Sequence, residues 1–245
     1  RDEDYAAGDS EDADRVGDTG DDKTQRRGDE PGRRTRPLPA RSEEGCAEGD
    51  CGACTVALGR PGAVGNIEYR PVNACIHLLG MADGAEIVTV EDIGRDRPHP
   101  IQQAFVDRHA SQCGFCTPGF IMALFAFRHR RGQGPASRDD ITDALAGNLC
   151  RCTGYRPIID AALEVCSGTP EDAFGNRKTA DALAGLASDA PLIAGDERRF
   201  FAAPTSIDDL ADICARHPDA TLVAGATDVG LWITKALMEI ERIVW

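Results

Sequence analysis

Gly45-Cys46-Ala47-Glu48-Gly49-Asp50-Cys51-Gly52-Ala53-Cys54 places three thiols at the spacing C-x4-C-x2-C, interleaved with glycine and alanine, and Cys75 follows about 20 residues later. This is the plant-type spacing for four thiolates around a [2Fe-2S] cluster. Small residues suit such a loop, which must turn sharply and bring backbone N–H groups close to sulfur. Those N–H groups also tune the potential of a bound cluster. Zinc fits less well, because structural zinc sites usually pair one tight C-x2-4-C with another and Cys75 stands alone. Disulfides belong to secreted chains, and no signal peptide is visible here.

The chain has 245 residues, enough for one or two domains, and begins with Arg, as a fragment would. Its formal charge of −14 argues against nucleic acid or an anionic membrane surface as partner. No apolar run is long enough to span a bilayer. Ten cysteines without a secretory signal indicate metal binding in a reducing compartment, hence a cytoplasmic location.

Residues 1–44 are rich in Asp, Glu, Arg and Gly, with Val16 and Leu38 nearly alone as large apolar residues, and read as a solvated, disordered tail. From Cys54 to about Asp92 the pattern turns β-like. Cys54–Leu58, Ile67–Val72 and Ile87–Val90 are predicted strands, with Gly59-Arg60-Pro61-Gly62 as a turn. Between them, Ala74–Leu79 is expected to be buried and carries Cys75, while His77 is expected to be structural or exposed rather than a ligand.

From about Pro98 the period becomes helical. Ile101, Ala104, Phe105 and Val106 mark one helix. Thr117 as cap and Pro118 at the first position open another, with Phe120, Ile121, Leu124, Phe125 and Phe127 on its apolar face. Ser137 and Asp140 form a capping box before a third, and Pro157 begins a fourth. A compact bundle follows. It carries a second thiol set, Cys113-Gly114-Phe115-Cys116 and Cys150-Arg151-Cys152, at helix ends whose N–H groups favour thiolates. Taken alone, this set admits zinc as well as a second cluster. Cys166 and Cys214 are left over as ordinary buried thiols.

Residues 167 to about 200 read as a linker. Ser206 and Asp209 then cap a helix running to His217-Pro218, and Thr221–Ala224 is a strand. Gly225-Ala226-Thr227-Asp228 is a tight turn of the kind that can cradle a phosphate, and another strand begins near Trp245.

Three motifs in order then carry a resemblance: Gly45–Thr55, Gln112–Gly119 (Gln-Cys-Gly-Phe-Cys-Thr-Pro-Gly) and Gly147–Pro157 (Gly-Asn-Leu-Cys-Arg-Cys-Thr-Gly-Tyr-Arg-Pro). Together they resemble the iron–sulfur region of the molybdenum hydroxylases over about residues 44–168. Phe201–Ser206 and Leu222–Leu231 resemble the start of that family's FAD domain, an arrangement similar to the small subunit of the bacterial xanthine dehydrogenases.

The implied fold is α+β. A ferredoxin-like β-grasp [2Fe-2S] domain covers 45–97, a four-helix-bundle [2Fe-2S] domain 98–168, a linker 169–199 and the truncated start of an α+β FAD-binding domain 200–245. The resemblance implies that Cys113, Cys116, Cys150 and Cys152 ligate a cluster near molybdenum, with Gln112 and Cys152 close to the pterin. Cys46, Cys51, Cys54 and Cys75 would hold a cluster nearer the flavin. Leu222, Val223, Ala224, Gly225, Ala226, Thr227, Asp228 and Val229 match the FAD pyrophosphate loop. The implied partner is a large subunit carrying the molybdenum cofactor, which oxidises a purine, with NAD as final acceptor.

The residues depart from the family pattern in three places. The family's hairpin and helix before the first cluster are not supplied by residues 1–44, which look read in another frame or joined from elsewhere. The flavin domain breaks off at Trp245, so this chain alone is not expected to retain FAD. Ala226 stands where many relatives carry glycine. An aldehyde oxidase or carbon monoxide dehydrogenase subunit, a zinc-stabilised interaction module and an inactive truncated product are the alternative readings.

Overall fold

A computed structural model describes residues 43–63, 65–95, 97–131, 134–167 and 172–245. The stretch read as a disordered tail, 1–44, lies outside the described residues apart from Glu43 and Glu44.

Strand β1 (Thr55–Pro61) is central in a three-stranded antiparallel sheet, flanked by β2 (Ile67–Asn73) and β3 (Glu86–Val88). Its pairing with β2 runs from Thr55 opposite Asn73 to Pro61 opposite Ile67, so the hairpin turn lies beyond the predicted Gly59–Gly62. Gly59 is there for packing: a Cβ would stand 2.7 Å from both Ile67 and Tyr69 side chains. The third strand stops at Val88 because Thr89 turns the chain, its N–H donating to Asp92 Oδ2 at 3.0 Å at the start of helix α1 (Val90–Ile93). The segment 74–79 is less buried than expected; Ile76 is inside but Leu79 is exposed.

Helices α2 (Pro100–Asp107), α3 (Thr117–Arg130), α4 (Arg138–Ala144) and α5 (Arg156–Val165) follow. Each of the four predicted helices forms. Cys116, not Thr117, occupies the cap position of α3, while Ser137 and Asp140 bond reciprocally at 3.1 and 2.9 Å. In α3, residues Gly119–Ala126 are buried without interruption. A helix apolar all round is one enclosed on every side. Accordingly α3 lies against the sheet and against its fellow helices, and one core joins Ala57, Ile67, Tyr69 and Val88 of the sheet to Phe120, Leu124, Phe125, Ile141 and Ile158 of the helices. Tyr69 and Phe125 meet edge to face at 5.2 Å.

The predicted linker is largely structured. Helix α6 (Arg177–Ala184) is capped by Asn176 and buries Ala180 and Leu183 in the main core, and β4 (Leu192–Gly195) follows. What orders it is Asp172. His99 Nδ1 accepts the Ile101 N–H, which leaves the ring proton on Nε2 to donate to Asp172 Oδ2 at 3.1 Å. His129 Nε2 meets the same oxygen at 3.1 Å. Tyr69 takes the Gly175 N–H at 3.0 Å and donates to Glu86 at 2.5 Å. These partners are far apart in sequence, so no local pattern announces them.

The chain ends in a second sheet, ordered β4-β5-β7-β6, from β5 (Phe200–Ala203), helix α7 (Ile207–Arg216), β6 (Thr221–Leu222), helix α8 (Val229–Thr234) and β7 (Arg242–Val244). Ser206 caps α7 as predicted. Strand β6 is shorter than the expected Thr221–Ala224, and β6, α8 and β7 form a parallel crossover unit.

Burial raises the Asp172 carboxyl pKa, but the two imidazoles outweigh it and hold the group well below the ordinary value. A depressed carboxylate contributes stability above its unfolded pKa of about 4 that is lost as the pH falls below it. Asp172→Asn is expected to lower unfolding stability by about 2–3 kcal/mol at neutral pH, the scale of hydrogen bonds to a buried charge. In urea titrations the difference from the parent should shrink below about pH 4.

Candidate iron–sulfur centres

The loop that carries Cys46, Cys51 and Cys54 is curled by three residues in the left-handed region: Ala47 (φ 53°), Gly49 (φ 78°) and Gly52 (φ 70°). This curl turns the N–H groups of Asp50 and Cys51 onto Cys46 Sγ at 3.3 and 3.4 Å. Burial pushes the Cys46 thiol up, but backbone donors from Cys51, Glu48 and Asp50 bring it down to about 7. Cys75 is delivered just past β2, where Ala74 N–H bonds to the Cys54 carbonyl at 3.3 Å. Its thiol, pushed up to about 12 by burial and by the neighbouring Cys54 thiol, stands beside Cys54, as Cys46 stands beside Cys51. All four predicted residues of the first set are thus brought together. His77, expected to be structural or exposed, is half-buried.

The second set forms where α3 begins and where the turn before α5 folds back. Cys116 faces Cys150, and Cys113 faces Cys152. Burial and the Cys150 neighbour push the Cys116 thiol up to about 12. For Cys150, burial is outweighed by the Thr153 hydroxyl, at 3.1 Å, and the Thr153 N–H, at 3.5 Å, and the thiol is lowered. The Cys150 N–H donates to the Tyr155 hydroxyl at 3.1 Å, so the turn closes on itself. Cys113 and Cys152 are exposed, as are Gln112 and the apolar side chains of Phe115, Leu149 and Tyr155.

The two sets touch through their loops. Leu149 N–H, next to Cys150, donates to the carbonyl of Cys51 at 2.9 Å. The adjacent carbonyl of Gly52 accepts from Thr55 N–H at 3.1 Å, from Thr55 Oγ1 at 2.7 Å and from Asn148 Nδ2 at 2.9 Å. Gly119 lets α3 approach this knot, since a Cβ there would stand 2.1 Å from the Gly52 oxygen. Sequence reasoning gave Asn148, Thr55 and Gly119 no role. The available signal was Asn148 itself, a polar residue within a motif whose neighbours serve the cysteines.

The residues fit iron–sulfur clusters. Each set supplies four free thiols, the number a [2Fe-2S] cluster spreads over its two irons. Sulfurs in both sets receive hydrogen-bond donors, Cys46 and Cys150 among them, as tuned cluster ligands do.

The stretch 222–229 runs from the end of β6 through a turn to the first residue of α8. Leu222 is exposed, while Val223 and Ala226 are buried against Met81. Ala226 has a φ of 58°. Ala224, Gly225, Thr227 and Asp228 are exposed, and Val229 begins α8.

Asn148→Ala is expected to cost about 1–2 kcal/mol in urea unfolding, the penalty for removing one buried donor. Gly52→Ala should cost more, because its Cβ would meet the Gly147 carbonyl at 2.2 Å from a φ of 70°.

Residues 89–163 match the family described as "[2Fe-2S] binding domain". The chain is 44% identical over 159 residues to a xanthine dehydrogenase of Blastobotrys adeninivorans, covering 61% of this chain and 11% of that one. It is 34% identical over 233 residues to aldehyde oxidase 1 of Macaca fascicularis, covering 76% and 17%. A solved structure, quinoline 2-oxidoreductase from Pseudomonas putida 86, is 32% identical with a TM-score of 0.43, covering 59% of this chain and 75% of that one. The chain spans less than a fifth of the length of the curated relatives it matches, between 9% and 18%. Residues 89–163, which carry Cys113, Cys116, Cys150 and Cys152, are thus a [2Fe-2S] binding domain, in a chain similar over part of its length to xanthine dehydrogenases and aldehyde oxidases.

Proposed function

We propose that this chain is the electron-transfer subunit of a molybdenum-containing purine hydroxylase, the small subunit of a bacterial xanthine dehydrogenase. Cys113, Cys116, Cys150 and Cys152 would hold one [2Fe-2S] cluster, facing a large subunit that carries the molybdenum cofactor. Cys46, Cys51, Cys54 and Cys75 would hold the other, facing FAD, and residues 222–229 would receive the FAD pyrophosphate in the complete enzyme, with NAD as acceptor. When bound, such clusters accept and release single electrons, which separates a two-electron substrate reaction from a hydride-accepting nicotinamide.

The protein's own part is to hold and join the sites. The observation that carries the reading is the hydrogen bond from Leu149 N–H to the Cys51 carbonyl, which links a residue beside Cys150 directly to Cys51. Exposure of Cys113 and Cys152 among Phe115, Leu149 and Tyr155 supports a partner seated on that set, and the turn after β6 supports a phosphate contact by backbone. Among the described residues no helix is long and apolar enough to cross a membrane. A second reading, the iron–sulfur region of an aldehyde oxidase, draws on the 34% identity to aldehyde oxidase 1 over 233 residues.

EPR of the dithionite-reduced, anaerobically isolated protein is expected to show two distinct [2Fe-2S] species, with two irons and two sulfides per cluster. Cys113→Ser should remove one species and leave the other. Zinc in place of iron would overturn the proposal. Turnover of xanthine, and not of aldehydes, by the complex with its molybdenum subunit separates the two readings.

A further inference from the structure

Helix α8 begins at the turn after β6 and ends on the loop of the first cysteine set. Thr234 Oγ1, half-buried near its C-terminus, donates to the carbonyl of Ala47 at 2.6 Å. The Gly230 carbonyl lies 3.1 Å from the same hydroxyl, whose single proton is better placed for Ala47. Ala47 is the first of the three residues whose left-handed conformation curls the loop. One turn earlier, Gly230 stands against Ile76, the residue after Cys75; a Cβ on Gly230 would lie 3.0 Å from Ile76 Cβ and 3.1 Å from its carbonyl oxygen. Ile76 in turn fills the space beside Gly49, where a Cβ would meet its Cδ1 at 2.4 Å. Lys235 Nζ reaches Glu48 Oε2 at 3.5 Å, on the exposed side of the same loop. One short helix therefore touches both chain segments that supply the first set, the loop 46–54 and the segment 75–76.

We propose that Thr234 and Gly230 are positioning residues for the first cysteine set. They hold the curl of Ala47–Gly49 that aims the Asp50 and Cys51 N–H groups at Cys46 Sγ, and so set the potential of the group bound there. This rests on the reading of Cys46, Cys51, Cys54 and Cys75 as [2Fe-2S] ligands. N–H donors stabilise the more negative, reduced form of a thiolate-bound cluster, so weakening them lowers the potential. Because α8 is about 9 Å long at 1.5 Å per residue, it also fixes the spacing between the 222–229 turn and the cysteine loop.

The test is Thr234→Val in the full chain, a change that keeps side-chain volume and removes the donor. Redox titration followed by EPR should show one of the two [2Fe-2S] species at a lower midpoint potential with altered g values, and the other unchanged. Amide exchange at Asp50 and Cys51 should quicken. Thr234→Ser should restore both readouts. Gly230→Ala, which presses on Ile76 from the other contact, should move the same species. Two unaltered signals in Thr234→Val overturn the inference alone, as does an equal shift of both signals, which would report general loosening. Absence of any [2Fe-2S] signal in the parent chain overturns the underlying reading and this inference with it.

Discussion

Two adjacent carbonyls, those of Cys51 and Gly52, accept the hydrogen bonds that hold the cysteine-bearing parts of this protein together. The Cys51 oxygen takes the Leu149 N–H, and the Gly52 oxygen takes donors from Thr55 and Asn148. Asn148 is buried, so an unmet amide there would carry a full desolvation penalty. The geometry is possible only because glycine stands at both 52 and 119, where side chains would collide with backbone. A loop before β1 and a turn before α5, nearly a hundred residues apart, become one surface around this contact.

Much of this was legible in the chain. Cysteine spacing announced both sets, and the capping pairs Ser137 with Asp140 and Ser206 with Asp209 marked helix starts correctly, because a cap is a local interaction between residues three apart. Two of the misplacements share one cause, which is that the deciding contact is remote. Gly59 reads as a turn residue but is small because Tyr69 crosses it. Residues 169–199 read as a linker, yet Asp172 is fixed by histidines 43 and 73 positions away. Asn148 and Gly119 were visible as motif letters, but only the packed structure shows that they serve the carbonyl of Gly52.

The two sets also differ in how they meet their surroundings. In the second, Cys113 and Cys152 are exposed among apolar side chains, while the first is covered on one side by α8. One set thus faces outward and the other faces the chain's own C-terminal elements. That polarity is the one the proposed electron relay would use.

The carboxylate between His99 and His129 has a further meaning for how this protein can be divided. The helical region looks separable at Ser167, where α5 has ended and the cysteines of the second set have all been passed. A fragment stopped there would strand two imidazoles in an apolar interior, opposite Phe125, with no acceptor for their ring protons. The smallest piece able to fold as the intact chain does must therefore reach past Gly175, so that the sequence just after the helices completes them.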